Sequence, residues 1–154
     1  MKNRAKLVVV SLALLSGLIV LAARAETTPI TVDAAAKKSE SAGVGMEIVF
    51  KGVAPEGIVF DVAFDTMKMD APTLDRDLSK LAILAVDGGA PVTPSSWTVR
   101  QTRHMGHHLR GRLVFPAEAD GRPVLGSEAK AFELRLAGAE GEPQGAFSWS
   151  IQVR

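Results

Sequence analysis

All three histidines of the chain fall within five residues, His104-Met105-Gly106-His107-His108. Imidazole nitrogen suits copper, zinc or nickel, and a thioether selects Cu(I). On an extended backbone His104 and His108 project to one side and His107 to the other. Gly106, following Thr102-Arg103, offers the alternative of a turn or bulge that gathers the three rings. A second segment, Asp65-Thr66-Met67-Lys68-Met69-Asp70, supplies further thioethers. Met67 and Met69 share a face when extended. Their charged neighbours do not suit the usual role of methionine as core filler. The candidate metal ligands are the imidazoles of His104, His107 and His108 and the thioethers of Met67, Met69 and Met105. A mixed His/Met set is the ligand chemistry of copper, with zinc the lesser expectation. The bland alternatives are a solvated histidine loop, histidines capping a strand start, and methionines packed beneath a loop.

Other chemistries have weaker support. The chain has no cysteine, which excludes a disulfide scaffold, a thiolate zinc site and a cysteine nucleophile. Asp61, Asp65, Asp70, Asp75 and Asp77 are oxygen donors of the kind calcium takes, but their spacing departs from the D-x-[DN]-x-[DN]-G loop and fits turn-forming aspartates better. No G-x-S-x-G elbow, H-E-x-x-H motif or phosphate-cradling glycine loop occurs. A non-enzymatic protein is expected.

The first 25 residues stand apart. Lys2, Arg4 and Lys6 precede an apolar run from Leu7 to Ala23, which ends in the small-x-small triplet Ala23-Arg24-Ala25. This is the layout of a secretory signal peptide with cleavage after Ala25, and it implies a periplasmic or secreted protein. An uncut leader would serve as a membrane anchor, its apolar run being at the short limit for a span. Four of the 18 basic residues and none of the 17 acidic ones lie in the leader, so residues 26–154 carry a net charge of −3. A nucleic-acid footprint is not indicated. The expected partners are a metal ion and a protein of the envelope, with membrane contact only through a retained leader.

Residues 26–43 are small, polar and rich in Ala, Ser and Lys, and read as a flexible linker with a short strand at Ile30–Val32. From residue 44 the pattern becomes period two. Met46, Ile48 and Phe50 alternate with polar or smaller residues, as do Ile58, Phe60, Val62 and Phe64. Further strands are expected at Lys80–Val86, Trp97–Gln101, Leu109–Phe115, Ala131–Leu136 and Phe147–Val153, with one helical turn at most between Leu74 and Leu84. Seven short strands separated by turn signals predict an all-β domain over 44–154, an antiparallel immunoglobulin-like β-sandwich. Without a disulfide its core must rest on Phe50, Phe60, Phe64, Trp97, Phe115, Phe132 and Trp149, worth roughly 2–3 kcal/mol each on burial.

Several stretches carry a resemblance. Val59-Phe-Asp-Val-Ala-Phe-Asp-Thr66, Asp77-Leu-Ser-Lys-Leu-Ala82, Ser96-Trp97, Gly106-His-His108 and Gly111-Arg-Leu-Val-Phe115 resemble a largely uncharacterised family of exported bacterial and archaeal β-sandwich domains. That family has D-T-H-S on its second strand and G-G-H-H before a later one. The resemblance covers roughly Met46 to Trp149. Met67 stands where the family has histidine, and Met105-Gly106 stands where it has Gly-Gly. Methionine in place of histidine keeps a Cu(I) ligand and weakens a zinc one. The resemblance implies the fold and the positions His107, His108 and Met67, and brings no activity with it. The reading is an exported copper-binding module for sequestration or delivery, the alternative being a structural or protein-interaction sandwich of the envelope with no metal site.

Overall fold

The computed structural model describes residues 29–67, 76–103, 107–138 and 144–152. Among them the chain forms β1 (Thr31–Val32), β2 (Ala36–Ser41), β3 (Val44–Ala54), β4 (Gly57–Thr66), the single helical turn α1 (Leu78–Leu81), β5 (Ala82–Val86) and β6 (Ser96–Arg103). After these come β7 (His108–Phe115), β8 (Glu118–Ala119), β9 (Arg122–Pro123), β10 (Ala131–Leu136) and β11 (Gly145–Gln152). Two antiparallel sheets result, ordered β1-β11-β10-β5 and β2-β3-β4-β7-β6, with β8–β9 as a separate ribbon. This is the expected antiparallel β-sandwich.

Period-two alternation explains the layering. Val44, Met46, Ile48 and Phe50 of β3, with Phe60, Val62 and Phe64 of β4, turn into the space between the sheets and are buried. Leu84, Phe132, Leu134, Phe147 and Trp149 face them from the other sheet. The aromatic contacts cross the sandwich: Phe50 meets Phe132 at 4.9 Å between ring centroids, and Phe60 meets Trp149 at 5.5 Å. Phe132 and Trp149 stack within their own sheet at 5.2 Å. Of the expected core aromatics only Trp97 is partly buried, because it sits on β6 at the sheet edge. Phe147 joins the core as an addition.

The short strand expected at Ile30–Val32 is present as β1, whereas the flexible linker expected around it is replaced, among the described residues, by β2. Residues 31–32 pair with β11 and residues 36–41 pair with β3. Between them the chain crosses from one sheet to the other and ties both. Asp33 N donates to Ser150 O (3.0 Å), while the Ala35 carbonyl accepts from Phe50 N (2.8 Å) and from Trp149 Nε1 (3.2 Å). A backbone–indole bond of this kind satisfies a polar atom that the core would otherwise strand. The strand expected from Lys80 begins at Ala82, since Lys80 and Leu81 belong to α1. The Asp77 side chain caps that turn by accepting from Ser79 N (3.1 Å). No helix among the described residues is long and apolar enough to cross a membrane, and the leader lies outside them.

Candidate functional site

The two segments singled out by their ligand chemistry meet at one end of the five-stranded sheet. β4 and β7 are antiparallel neighbours, so the residue that ends one lies beside the residue that begins the other. Phe64 pairs with Leu109 and Asp65 with His108. The ladder runs one step further, with Thr66 N donating to His107 O at 2.9 Å. Thr66 is buried, and its hydroxyl donates to Gly43 O (3.0 Å) in the turn between β2 and β3. That pair of bonds fixes the backbone from which Met67 leaves the sheet.

Alternation decides which side chains emerge. Phe64 and Leu109 point into the core, so Asp65 and His108 lie on the outer face of the sheet. There His108 Nδ1 and Asp65 Oδ1 are 2.5 Å apart, with both side chains half-buried. A neutral His108 that donates Nδ1–H to this carboxylate carries its lone pair on Nε2. Carboxylates in this position orient metal-binding imidazoles in many sites and raise their basicity. His107 is half-buried and one residue further along the strand direction. Met67 is 90% exposed, so its thioether is in water and serves no core. The loop that follows Met67, beneath which it was expected to pack in the alternative reading, lies outside the described residues.

Of the candidate ligands, the fold brings the Met67 position together with His107 and His108. Met69, His104 and Met105 lie outside the described residues, so the choice between extended and turned histidine geometry falls there too. Among the described residues no three His, Asp or Glu side chains converge as a metal cluster. The described donors are two imidazoles and a thioether, a set in which carboxylates hold ligands and do not replace them.

Asp65 was considered only as a calcium donor by spacing, and its contact with His108 needs the β4–β7 register to be seen. Arg103 is a further neighbour, opposite His108 on β6. The Gln101 side-chain oxygen accepts from Arg103 Nε and from its Nη2 (2.6 Å) in the amide orientation that satisfies both groups. Asp65, Gln101, Arg103, His108 and Arg110 line an open cleft of about 400 Å³. Behind it, Gly111 gives passage to the Trp97 ring. A Cβ at Gly111 would lie 2.3 Å from Trp97 Cη2 and 2.8 Å from Thr98 O.

Compared with known proteins, the chain matches no family model, no curated sequence and no solved structure.

Proposed function

We propose that this protein is an exported, non-enzymatic copper-binding module that sequesters the metal or hands it on. The observation that carries the reading is the register of β4 and β7. It sets an exposed thioether, Met67, at the same sheet end as His107 and His108. Two further features support it. The Asp65 carboxylate holds the His108 ring by Nδ1, which directs Nε2 toward a metal. A soft thioether beside two imidazoles favours copper, and Cu(I) in particular, over zinc.

In this reading His107 and His108 bind the metal and Met67 completes the soft side of the site. An exposed ligand on a strand end permits exchange with an incoming partner, which delivery requires. Titration of the purified protein with Cu(I), Cu(II) and Zn(II), beside a His107→Ala/His108→Ala variant, tests it. One-to-one copper binding that the variant loses supports the reading. Absence of near-stoichiometric copper binding, or binding untouched by the substitutions, overturns it.

A further inference from the structure

The outer face of β6 and β7 has an excess of arginine that the sheet itself does not neutralise. Arg112 is compensated: its Nε lies 3.3 Å from Asp61 Oδ1 and its Nη1 3.8 Å from Glu56 Oε1. Arg110 is not. In register it faces Ala63 on β4 and Gln101 on β6, neither of which is acidic. Arg103 faces His108 and, among the described residues, meets the Gln101 amide, while Arg100 is the extra residue of the irregularity between Val99 and Gln101. Among the described residues none of these three guanidinium groups has a carboxylate within ion-pair distance.

Two hollows follow the same face. The cleft beside Asp65 and His108 shares Gln101 and Arg110 with a second, of about 570 Å³, that continues past Arg100 over Val49 and Ala63 to Lys51. The result is an elongated groove with a partly apolar floor, in which the lining carboxylates already have partners (Asp61 with Arg112, Asp65 with His108, Glu47 with Lys38), whereas among the described residues Arg100, Arg103 and Arg110 have none that is acidic. β6 is also an edge strand, bordered by β7 alone, so the groove is approachable along its length.

We propose that this groove docks an extended acidic segment of a protein partner, whose carboxylates are taken by Arg100, Arg103 and Arg110. Arginine is suited to this because its planar fork binds a carboxylate through two parallel hydrogen bonds. The open shape disfavours a small anion, which would keep most of its water, whereas successive carboxylates on one strand act together. The net charge of −3 over residues 26–154 opposes a long polyanion such as nucleic acid but leaves a local cationic face available to a short segment. The proposal does not rest on copper binding.

The test is fluorescence anisotropy with a labelled hexaglutamate peptide and the purified protein, a chelator being present throughout so that the outcome is independent of metal. The expected result is binding at low ionic strength that weakens with salt, and a Kd raised roughly tenfold or more by Arg103→Glu/Arg110→Glu. Arg103→Gln/Arg110→Gln serves the same comparison if charge reversal disturbs folding. Arg122→Glu, exposed on the separate β8–β9 ribbon, should leave the Kd unchanged. Three results overturn the proposal: no binding at low salt, a Kd in the double variants equal to the parent's, or an equal loss with Arg122→Glu. Displacement of the peptide by inorganic phosphate at matched charge would also overturn it, by assigning the face to small anions.

Discussion

Asp65 and Gly111 are the two residues on which the site's local geometry turns. Asp65 is exposed enough for Asn to be accommodated, and the amide keeps the shape while removing the charge that steadies the His108 ring. On the proposed copper-binding function, Asp65→Asn should leave the thermal midpoint nearly unchanged and weaken copper binding by roughly 10–100-fold, the usual cost of losing an outer-sphere carboxylate. A competition titration with a chromophoric copper chelator reads this directly, and an unchanged affinity would remove Asp65 from the site. At Gly111 the constraint is steric. A methyl group there would overlap the Trp97 ring and the Thr98 carbonyl. Gly111→Ala should destabilise the fold by about 1–3 kcal/mol, the cost of overpacking in a filled space. Urea unfolding with Trp fluorescence would measure it, and a loss under about 0.5 kcal/mol would mean that Trp97 moves aside freely.

At the scale of elements, β2 is what the composition of residues 26–43 concealed. β2 reads Ala-Lys-Lys-Ser-Glu-Ser, with no apolar face, because an edge strand lying against solvent needs none and charges there discourage further pairing. Its turn into β3 uses Ala42 and Gly43 at φ of 54° and 75°. Two consecutive positive φ values make a tight hairpin of the type that Asn-Gly or Asp-Gly usually announces, and Ala-Gly announces it poorly. The indole bond of Trp149 to Ala35 O makes the attachment testable. Trp149→Phe keeps most of the ring packing and deletes the donor, leaving the Ala35 carbonyl with Phe50 N alone. A loss of about 1 kcal/mol is expected. Hydrogen exchange should also quicken at Asp33 and Ser150, whose amides donate across the β1–β11 border. Unaltered exchange there would show that β1 and β2 hold without the indole. By contrast, β3, β4, β7, β10 and β11 were legible as strands, since each has one wet and one dry face and the alternation records it.

The whole molecule responds to acid through carboxylates that fold into partnerships. Hydrogen bonding from Lys37 holds Asp33 below its usual 3.8, and Ser79 with Lys80 does the same for Asp77. Glu133 is held below 4.5 by Arg135 first and Ser148 second. A carboxyl group with a lower pKa folded than unfolded stabilises the fold above its unfolded pKa, and that contribution is lost as the pH falls through the folded one. The thermal midpoint should therefore be level from neutrality down to about pH 5 and fall below about pH 4. A differential scanning series across that range checks it; a midpoint as high at pH 3 as at pH 7 would contradict it. Asp33 and Asp77 are exposed and Glu133 is half-buried, so each contribution is small and screened by salt.

What the amino-acid order determines by itself is the presence of the strands β3 to β7, β10 and β11, the faces those strands bury and the aromatic identity of the core. These follow from local alternation, which pleated geometry turns directly into an inside and an outside. The ligand types of the candidate site are likewise written in the chain, as clustered imidazoles and flanked thioethers. Which of them meet was decided only by tertiary structure. Met67 and His107 are 40 positions apart in sequence, and only antiparallel pairing of β4 with β7 joins their ends. The Asp65–His108 contact and the arginine groove depend on the same pairing, together with the position of β6 at the sheet edge. Strand order is set by the summed burial of both sheets, a non-local quantity, and no short window of residues records it.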